Sequence, residues 1–127
     1  NARLPTGDGL SSAVRAVDDA TDGYPAYYMV NCAHPTHFLP ALEEGGDWVR
    51  RIGGVRANAS RCSHAELEAM TELDEGDAAD LAQLYVRLRG LLPNLNVIGG
   101  CCGTDIRHIT AMADACVAAD NKAAIAA

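Results

Sequence analysis

The regular alternation of strand-like and helix-like segments constrains the fold of this chain more than any other feature. Three short apolar segments, AYYMVN (26–31), GGVRANA (53–59) and NVIGG (96–100), are separated by stretches in which apolar residues recur at helical spacing. Strands that alternate with helices pair in parallel through right-handed crossovers. The near-continuous apolarity of 26–31 is typical of a parallel strand covered on both faces. The sequence therefore predicts an α/β fold with a parallel sheet.

The helical segments complete the predicted order α-β-α-β-α-β-α. Their ends are marked by capping residues, glycines and prolines. The predicted helices are 10–22, 39–51 with a break at Gly45–Gly46, a short turn at 64–71, 77–89 and 105–119. A tail from residue 121 is expected to fray.

Capping residues and the core-facing side of the last helix can also be predicted. The expected caps are Ser11 or Ser12 for the first helix, Asp77 or Asp80 for the helix at 77–89, and Thr104 or Asp105 for the last. The helical spacing predicts that five residues of the last helix face the core. These are Ile106, Ile109, Met112, Ala113 and Cys116.

The composition excludes several classes of function. Of 127 residues, 49% are hydrophobic and 21% charged, which is typical of a globular domain. The net charge is −7 and the ten Lys and Arg residues are scattered, so a nucleic-acid partner is not expected. No apolar run approaches the roughly 18 residues of a membrane span. The opening NARLPTGDG has neither a Met nor a signal-peptide pattern, so we expect a piece of a longer cytoplasmic protein.

The chemistry-bearing residues follow the predicted strands. Cys32 follows the first strand, Asn58 ends the second, and Cys101 and Cys102 follow the third within GGCCGTD (99–105). Carboxyl ends of parallel strands share one edge, where function gathers in such sheets. Glycines around the cysteine pair free the backbone to turn both sulfurs inward. Three soft sulfur ligands favour zinc and leave one tetrahedral position open.

Other readings of the cysteines remain open. Adjacent cysteines close a disulfide only with strain, and without a secretory signal we expect reduced thiols. Cys116 lies in a helical stripe, typical of a buried apolar residue, and Cys62 lies in a polar loop. A fourth ligand, Cys62 or His34, would indicate a structural zinc or thiol-binding domain without catalysis. A redox dithiol at Cys101 and Cys102 would lack the usual C-x-x-C spacing.

Three motifs together resemble the homocysteine S-methyltransferase family. They are VNC (30–32), GGVRANAS (53–60) and GGCCGTDIRHI (99–109). The resemblance runs from about Leu4 to about Val117. The family includes the betaine– and S-methylmethionine–homocysteine methyltransferases and the homocysteine module of cobalamin-dependent methionine synthase.

The resemblance implies a fold, a reaction and a set of roles. The fold is a (β/α)8 TIM barrel, of which residues 1–127 would be the C-terminal portion, about strands six to eight, with the N-terminal half absent. Zinc would be held by Cys32, Cys101 and Cys102, and Asn31 and Asn58 match positions near the substrate. A methyl group would pass from a small donor to the homocysteine thiolate, giving methionine. The donor and the oligomeric state stay open, a homo-oligomer being one possibility.

Two further expectations concern completeness and the remaining polar residues. Three parallel strands alone leave two open edges, so the isolated piece is expected to be inactive or poorly stable. His34 and His37 are most simply solvated loop residues, with donor binding or zinc ligation as alternatives, and His108 is expected at the surface, in packing or near the site. The acidic stretch Glu72–Asp80 is typical of a solvated face.

Overall fold

The structure, a computed structural model, describes residues 2–126. Its elements follow the predicted order. The helices are α1 (Leu10–Thr21), α2 (Leu39–Glu43), α3 (His64–Ala69), α4 (Ala78–Leu91) and α5 (Ile106–Ala126), and the strands are β1 (Tyr28–Asn31), β2 (Ile52–Ala57) and β3 (Val97–Gly100). Short 3-10 helices lie at Pro35–His37 and Asp47–Arg51, so the 39–51 segment is broken around Gly45–Gly46 as predicted.

The three strands form one parallel sheet in the order β1-β2-β3. Val30 pairs with Val55, and both are buried in the core. Met29 and Val97, on the opposite face, are 44% and 40% exposed. The expectation that the first strand is covered on both faces is therefore wrong for this chain, because strand apolarity does not say what covers each face. A mixed α/β unit with one open sheet face is compatible with part of a barrel.

The last helix buries only part of the predicted face, because Met112 and Cys116 are buried as predicted but Ala113 is exposed. His108, Met112 and Cys116 are its buried residues, at a spacing of four, whereas Ile106 and Ile109 are 74% and 40% exposed. The helix also continues to Ala126, beyond the predicted end at residue 119, and the expected fraying of the tail stays a prediction. Its alanine-rich sequence is favourable to helix all round and leaves the buried face poorly specified.

The helix caps are only partly as predicted. Asp77 accepts a hydrogen bond from a backbone N–H in the first turn of α4, and Asp105 does the same for α5. The predicted caps of α1 are wrong: its N-cap is Gly9, which places Ser11 and Ser12 inside the first turn. Among residues 2–126, none of the helices combines the length and apolarity needed to cross a membrane.

Candidate metal centre

Three cysteine sulfurs converge at the carboxyl edge of the sheet. The Sγ atoms of Cys32 and Cys102 are 3.6 Å apart, those of Cys101 and Cys102 are 3.9 Å apart, and all three lie within 4.8 Å of one another. Zinc–sulfur bonds of about 2.3 Å at tetrahedral angles place sulfurs roughly 3.8 Å apart. This sulfur triangle therefore has the dimensions of a zinc site, and all three cysteines are free thiols.

Cys32 occupies its position through an unusual backbone conformation. Its φ is +59°, in the left-handed region that few non-glycine residues adopt. Its N–H still donates to the carbonyl of Arg56 on β2 at 2.9 Å, and its carbonyl accepts a hydrogen bond from Nε2 of His64 at 2.8 Å. The chain thus leaves β1 abruptly at Cys32. Backbone strain of this kind persists where surrounding contacts hold it, and it clusters at functional sites.

The loop that carries the other two sulfurs is fixed by β2. Cys101 donates its N–H to the carbonyl of Ala57 at 2.8 Å, and Cys102 donates its N–H to Oδ1 of Asn58 at 3.2 Å. Ala59 closes the contact by donating its N–H to the carbonyl of Cys102 at 2.9 Å. Asn58 is only 2% exposed, and its side chain holds the loop at residues 101–103, which we call the metal loop. Its predicted contact with substrate stays a prediction.

Arg56 is a residue of the site that the sequence reasoning missed. It is the one exposed residue in the burial pattern of β2. Its Nε donates to Oδ1 of Asn31 at 2.7 Å, and its Nη2 donates to Sγ of Cys101 at 3.6 Å. The available signal was a lone arginine inside an apolar strand. Asn31, predicted near the substrate, lies at the edge of the triangle as the partner of Arg56.

No fourth protein ligand joins the sulfur triangle within residues 2–126. Cys62 lies instead beside Asp74, with its Sγ 3.9 Å from the carboxylate. Nδ1 of His34 is engaged by Thr36. These contacts argue against the closed structural site that a fourth ligand among residues 2–126 would have made.

Comparison with known proteins identifies the family. A family model described as homocysteine S-methyltransferase matches residues 1–116, which include the whole sulfur triangle. The chain belongs to the homocysteine S-methyltransferase family. Neither the curated proteins nor the solved structures gave a significant match. Membership of the homocysteine S-methyltransferase family supports an activity of the methyltransferase type.

The thiols of this homocysteine S-methyltransferase family member have unequal acidity. Burial, together with hydrogen bonds to Cys101 and Cys102, raises the pKa of Cys32 to about 11. Burial also opposes ionisation of Cys101, but hydrogen bonds from Cys32 and the Cys102 backbone, with the charge of Arg56, lower its pKa below the usual value. Cys101, beside the guanidinium, therefore ionises more readily than Cys32.

An acidic segment packs against the metal loop rather than standing free in solvent. We call residues 70–77 the rim strap. Asp74 accepts a hydrogen bond from Oγ of Ser60, and this contact lowers the pKa of its carboxyl. A Cβ on Gly103, next to the cysteine pair, would collide with the Asp74 carbonyl oxygen. The expected solvated face is confirmed, since none of residues 72–80 is buried, although the backbone at Asp74 lies against Gly103.

His108 fastens the rim strap from the far side. It is 1% exposed, its Nδ1 accepts the N–H of Asp105 at 3.1 Å, and its Nε2 donates to the carbonyl of Glu75 at 2.7 Å. Nδ1 also lies 3.2 Å from Oδ1 of Asp105, so both ring nitrogens have polar partners. Of the roles expected for His108, the structure thus supports packing and excludes a surface position.

His34 and His37 shape the loop after Cys32. His34 is 2% exposed, so the expectation of a solvated histidine is wrong for this residue. Its Nδ1 accepts the N–H of Thr36 at 3.3 Å, and burial, together with the charge of Arg61, lowers its pKa to about 4. His37 donates from Nε2 to the carbonyl of Arg61 at 2.7 Å. Both rings thus stabilise the loop that follows the first cysteine.

Proposed function

We propose that the protein transfers a methyl group from a small donor to the thiolate of homocysteine, giving methionine and the demethylated donor. Zinc held by Cys32, Cys101 and Cys102 is part of the proposal. The observation that carries it is the sulfur triangle, whose spacing suits zinc and which has one open position. When bound, zinc would supply a Lewis acid that keeps an incoming thiol deprotonated near neutral pH.

The chain's own residues would hold the reactants in place. Asn58 fixes the loop of Cys101 and Cys102 through the Cys102 N–H, and the left-handed Cys32 brings the third sulfur from β1. Arg56 places a positive charge beside Cys101, which stabilises the thiolate form. Because the nucleophile is a preformed thiolate, no side-chain base needs to remove a proton during methyl transfer.

We further propose that this unit completes its fold as the C-terminal part of a (β/α)8 barrel. The exposed Met29 and Val97 on the open face, and the strands β1 and β3 at the two edges, support this. Homocysteine and the donor would then enter at the carboxyl edge, where the sulfur triangle lies. Reduced thiols of this kind fit the cytoplasm.

Metal content tests the proposal at its first step. The reduced chain should bind one zinc, Cys32→Ser and Cys101→Ser should lose it, and Cys62→Ser, a matched control outside the triangle, should keep it. Zinc retained by both triangle variants would refute the proposed ligands.

Methyl transfer tests the second step. In the intact protein with zinc bound, homocysteine and a panel of sulfonium, quaternary ammonium and methyl-corrinoid donors should yield methionine, detected by mass. Co²⁺ substitution adds a spectroscopic check, because an open site changes its absorption when a thiol is added. A Co²⁺ spectrum already typical of four protein ligands, and unchanged by thiol, would instead indicate a structural site.

A further inference from the structure

We propose that the rim strap positions the metal loop, so that seating of the strap and binding of zinc at the sulfur triangle strengthen each other. His108, which fastens the strap, is then a positioning residue for the metal centre. The proposal rests on the zinc site of the proposed function and adds to it a part of the chain outside the three ligands. The contacts on the two sides of the strap, and its lack of buried side chains, support it.

The inner side of the rim strap lies against the backbone that holds the metal loop. Gly103, the last residue of that loop, has a φ of +77°, and a Cβ there would collide with the carbonyl oxygen of Asp74. Gly76 has a φ of +54°, and a Cβ there would collide with the carbonyl oxygen of Ala59. Ala59 in turn donates its N–H to the carbonyl of Cys102 at 2.9 Å. The strap therefore touches both the metal loop and a residue that anchors it.

The outer side of the rim strap is held by the start of α5. Nε2 of His108 donates to the carbonyl of Glu75 at 2.7 Å, and Nη2 of Arg107 lies 2.9 Å from Oε2 of Glu75. His108 is 1% exposed and takes no part in the proposed reaction. Arg107 is oriented by Asp105, which accepts hydrogen bonds from its Nε and Nη2. The strap is thus clamped between the metal loop and α5.

The rim strap can leave this seat without unfolding the rest of the chain. None of residues 70–77 is buried, and Leu73 is 70% exposed. Hydrogen bonds, an ion pair and backbone contacts hold the strap, and among them is the hydrogen bond from Oγ of Ser60 to Asp74. A segment with few buried apolar contacts opens locally at a small cost in free energy. A ligand at the metal loop can therefore shift the balance between a seated and an unseated strap.

The metal loop carries two of the three sulfurs that zinc needs in one arrangement. A seated strap restricts this loop, so zinc binds more tightly when the strap is seated. By thermodynamic linkage, bound zinc then holds the strap in its seat by the same factor. In a rival explanation, β2 and the residue after it fix the loop alone, through the carbonyl of Ala57 and the side chain of Asn58. The strap and the metal would then be independent.

A pair of glycine substitutions separates the two explanations. Gly76→Ala unseats the strap without altering the metal loop or α5. Gly45→Ala is the matched control, because its φ is +73° and nothing lies within 4 Å of the added Cβ. Zinc affinity, measured by competition with a chelator, should fall by about 5- to 150-fold in Gly76→Ala, the usual range of coupling between two sites. It should stay the same in Gly45→Ala.

Hydrogen exchange measures the same coupling from the strap. In the unsubstituted chain, zinc should slow the exchange of residues 70–77 by a factor similar to the loss of affinity in Gly76→Ala. Exchange of Asp47–Arg51, which lies at the amino edge of the sheet directly before β2, should slow less. Because this measurement uses the unsubstituted chain, it does not depend on the folding of any variant.

Two substitutions of His108 test its own part. His108→Gln keeps a side-chain N–H that can take the place of Nε2 and reach the Glu75 carbonyl. His108→Asn is one bond shorter and keeps only a polar atom near Asp105, in place of Nδ1. Both remove the ring from the core, so a merely structural role would give them equal zinc affinities. We expect His108→Asn to bind zinc more weakly than His108→Gln does.

Each outcome supports or overturns the inference. Equal zinc affinities in Gly76→Ala and Gly45→Ala, or a strap whose exchange zinc slows no more than that of Asp47–Arg51, would overturn it and leave the proposed function in place. An unsubstituted chain that binds no zinc would contradict the proposed metal centre itself and remove the inference with it.

Discussion

Replacing Tyr85 by phenylalanine removes one oxygen atom from the core and should lower the free energy of unfolding by about 2–3 kcal/mol. Tyr85 lies on α4 and is 0% exposed. Its hydroxyl accepts the N–H of Ala57 at 3.0 Å and donates to the carbonyl of Gly99 at 2.6 Å, so it bridges β2 and β3 immediately before the metal loop. Burial raises its pKa to about 12, which keeps the hydroxyl protonated and able to donate.

The magnitude follows from those contacts. Two hydrogen bonds of about 1 kcal/mol each are lost, and the buried N–H of Ala57 is left without its acceptor, which adds a desolvation cost of about 1 kcal/mol or more. The ring stays in place, so no cavity larger than the oxygen opens. Removing the buried hydroxyl recovers part of its own desolvation cost, which keeps the total near the stated value.

Urea unfolding followed by circular dichroism measures the difference. Tyr28→Phe is the matched control, because its hydroxyl makes a hydrogen bond to Asp18 in a part-buried position where Arg51 also binds the carboxylate. The control should lose less than about 1 kcal/mol. A loss for Tyr85→Phe no larger than that of Tyr28→Phe would refute the assignment of the hydroxyl as a bridge between strands.

Three further predictions address the loops of the site. Gly103→Ala should lower the free energy of unfolding by roughly 2 kcal/mol or more and weaken zinc binding, because φ is +77° and the new Cβ meets the Asp74 carbonyl. Gly23→Ala, the control at φ +68° in open space, should cost only about 1 kcal/mol. Equal costs in urea unfolding would contradict this prediction. Asn58→Ala should cost about 1–3 kcal/mol and weaken zinc binding measured by chelator competition, since a buried backbone N–H loses its acceptor; unchanged zinc affinity would be inconsistent with its role. Because the pKa of His34 is lowered in the folded state, its contribution to the free energy of unfolding is present above about pH 6.5 and is lost as the pH falls towards 4. About 2 kcal/mol of that free energy should disappear between pH 7 and 5. His34→Asn keeps a hydrogen-bond acceptor but does not titrate, so it should remove this part of the pH dependence.

The sulfur triangle could be predicted because its information is local. Each cysteine directly follows a strand, and parallel strands bring their carboxyl ends to one edge whatever the details of packing. Arg56 and the rim strap could not be predicted in this way. Their roles depend on contacts across the sheet and between distant loops, such as Arg56 with Cys101 and His108 with Glu75, and no periodic pattern encodes those contacts.

The fold was predicted less well wherever the pattern was ambiguous. The strands and most helices follow from apolar spacing and caps. The buried face of α5 was predicted only at Met112 and Cys116, because alanines allow several faces and because His108, a polar residue, is buried with both ring nitrogens hydrogen-bonded. Likewise, Met29 made β1 look covered on both faces, although its side chain lies on the open one. The sequence shows that a face is apolar, but only the folded structure shows which residues, if any, cover that face.

An all-sulfur donor set carries a cost for the cell that makes this protein. Thiolates bind Cu(I) as readily as they bind zinc, and divalent copper stands above zinc in the general order of affinities. The triangle of Cys32, Cys101 and Cys102 has no oxygen or nitrogen donor that would favour the less thiophilic ion. On the proposal that zinc is the resident metal, correct loading would depend on scarce free copper in the compartment where the chain folds, and copper excess should displace zinc from the triangle.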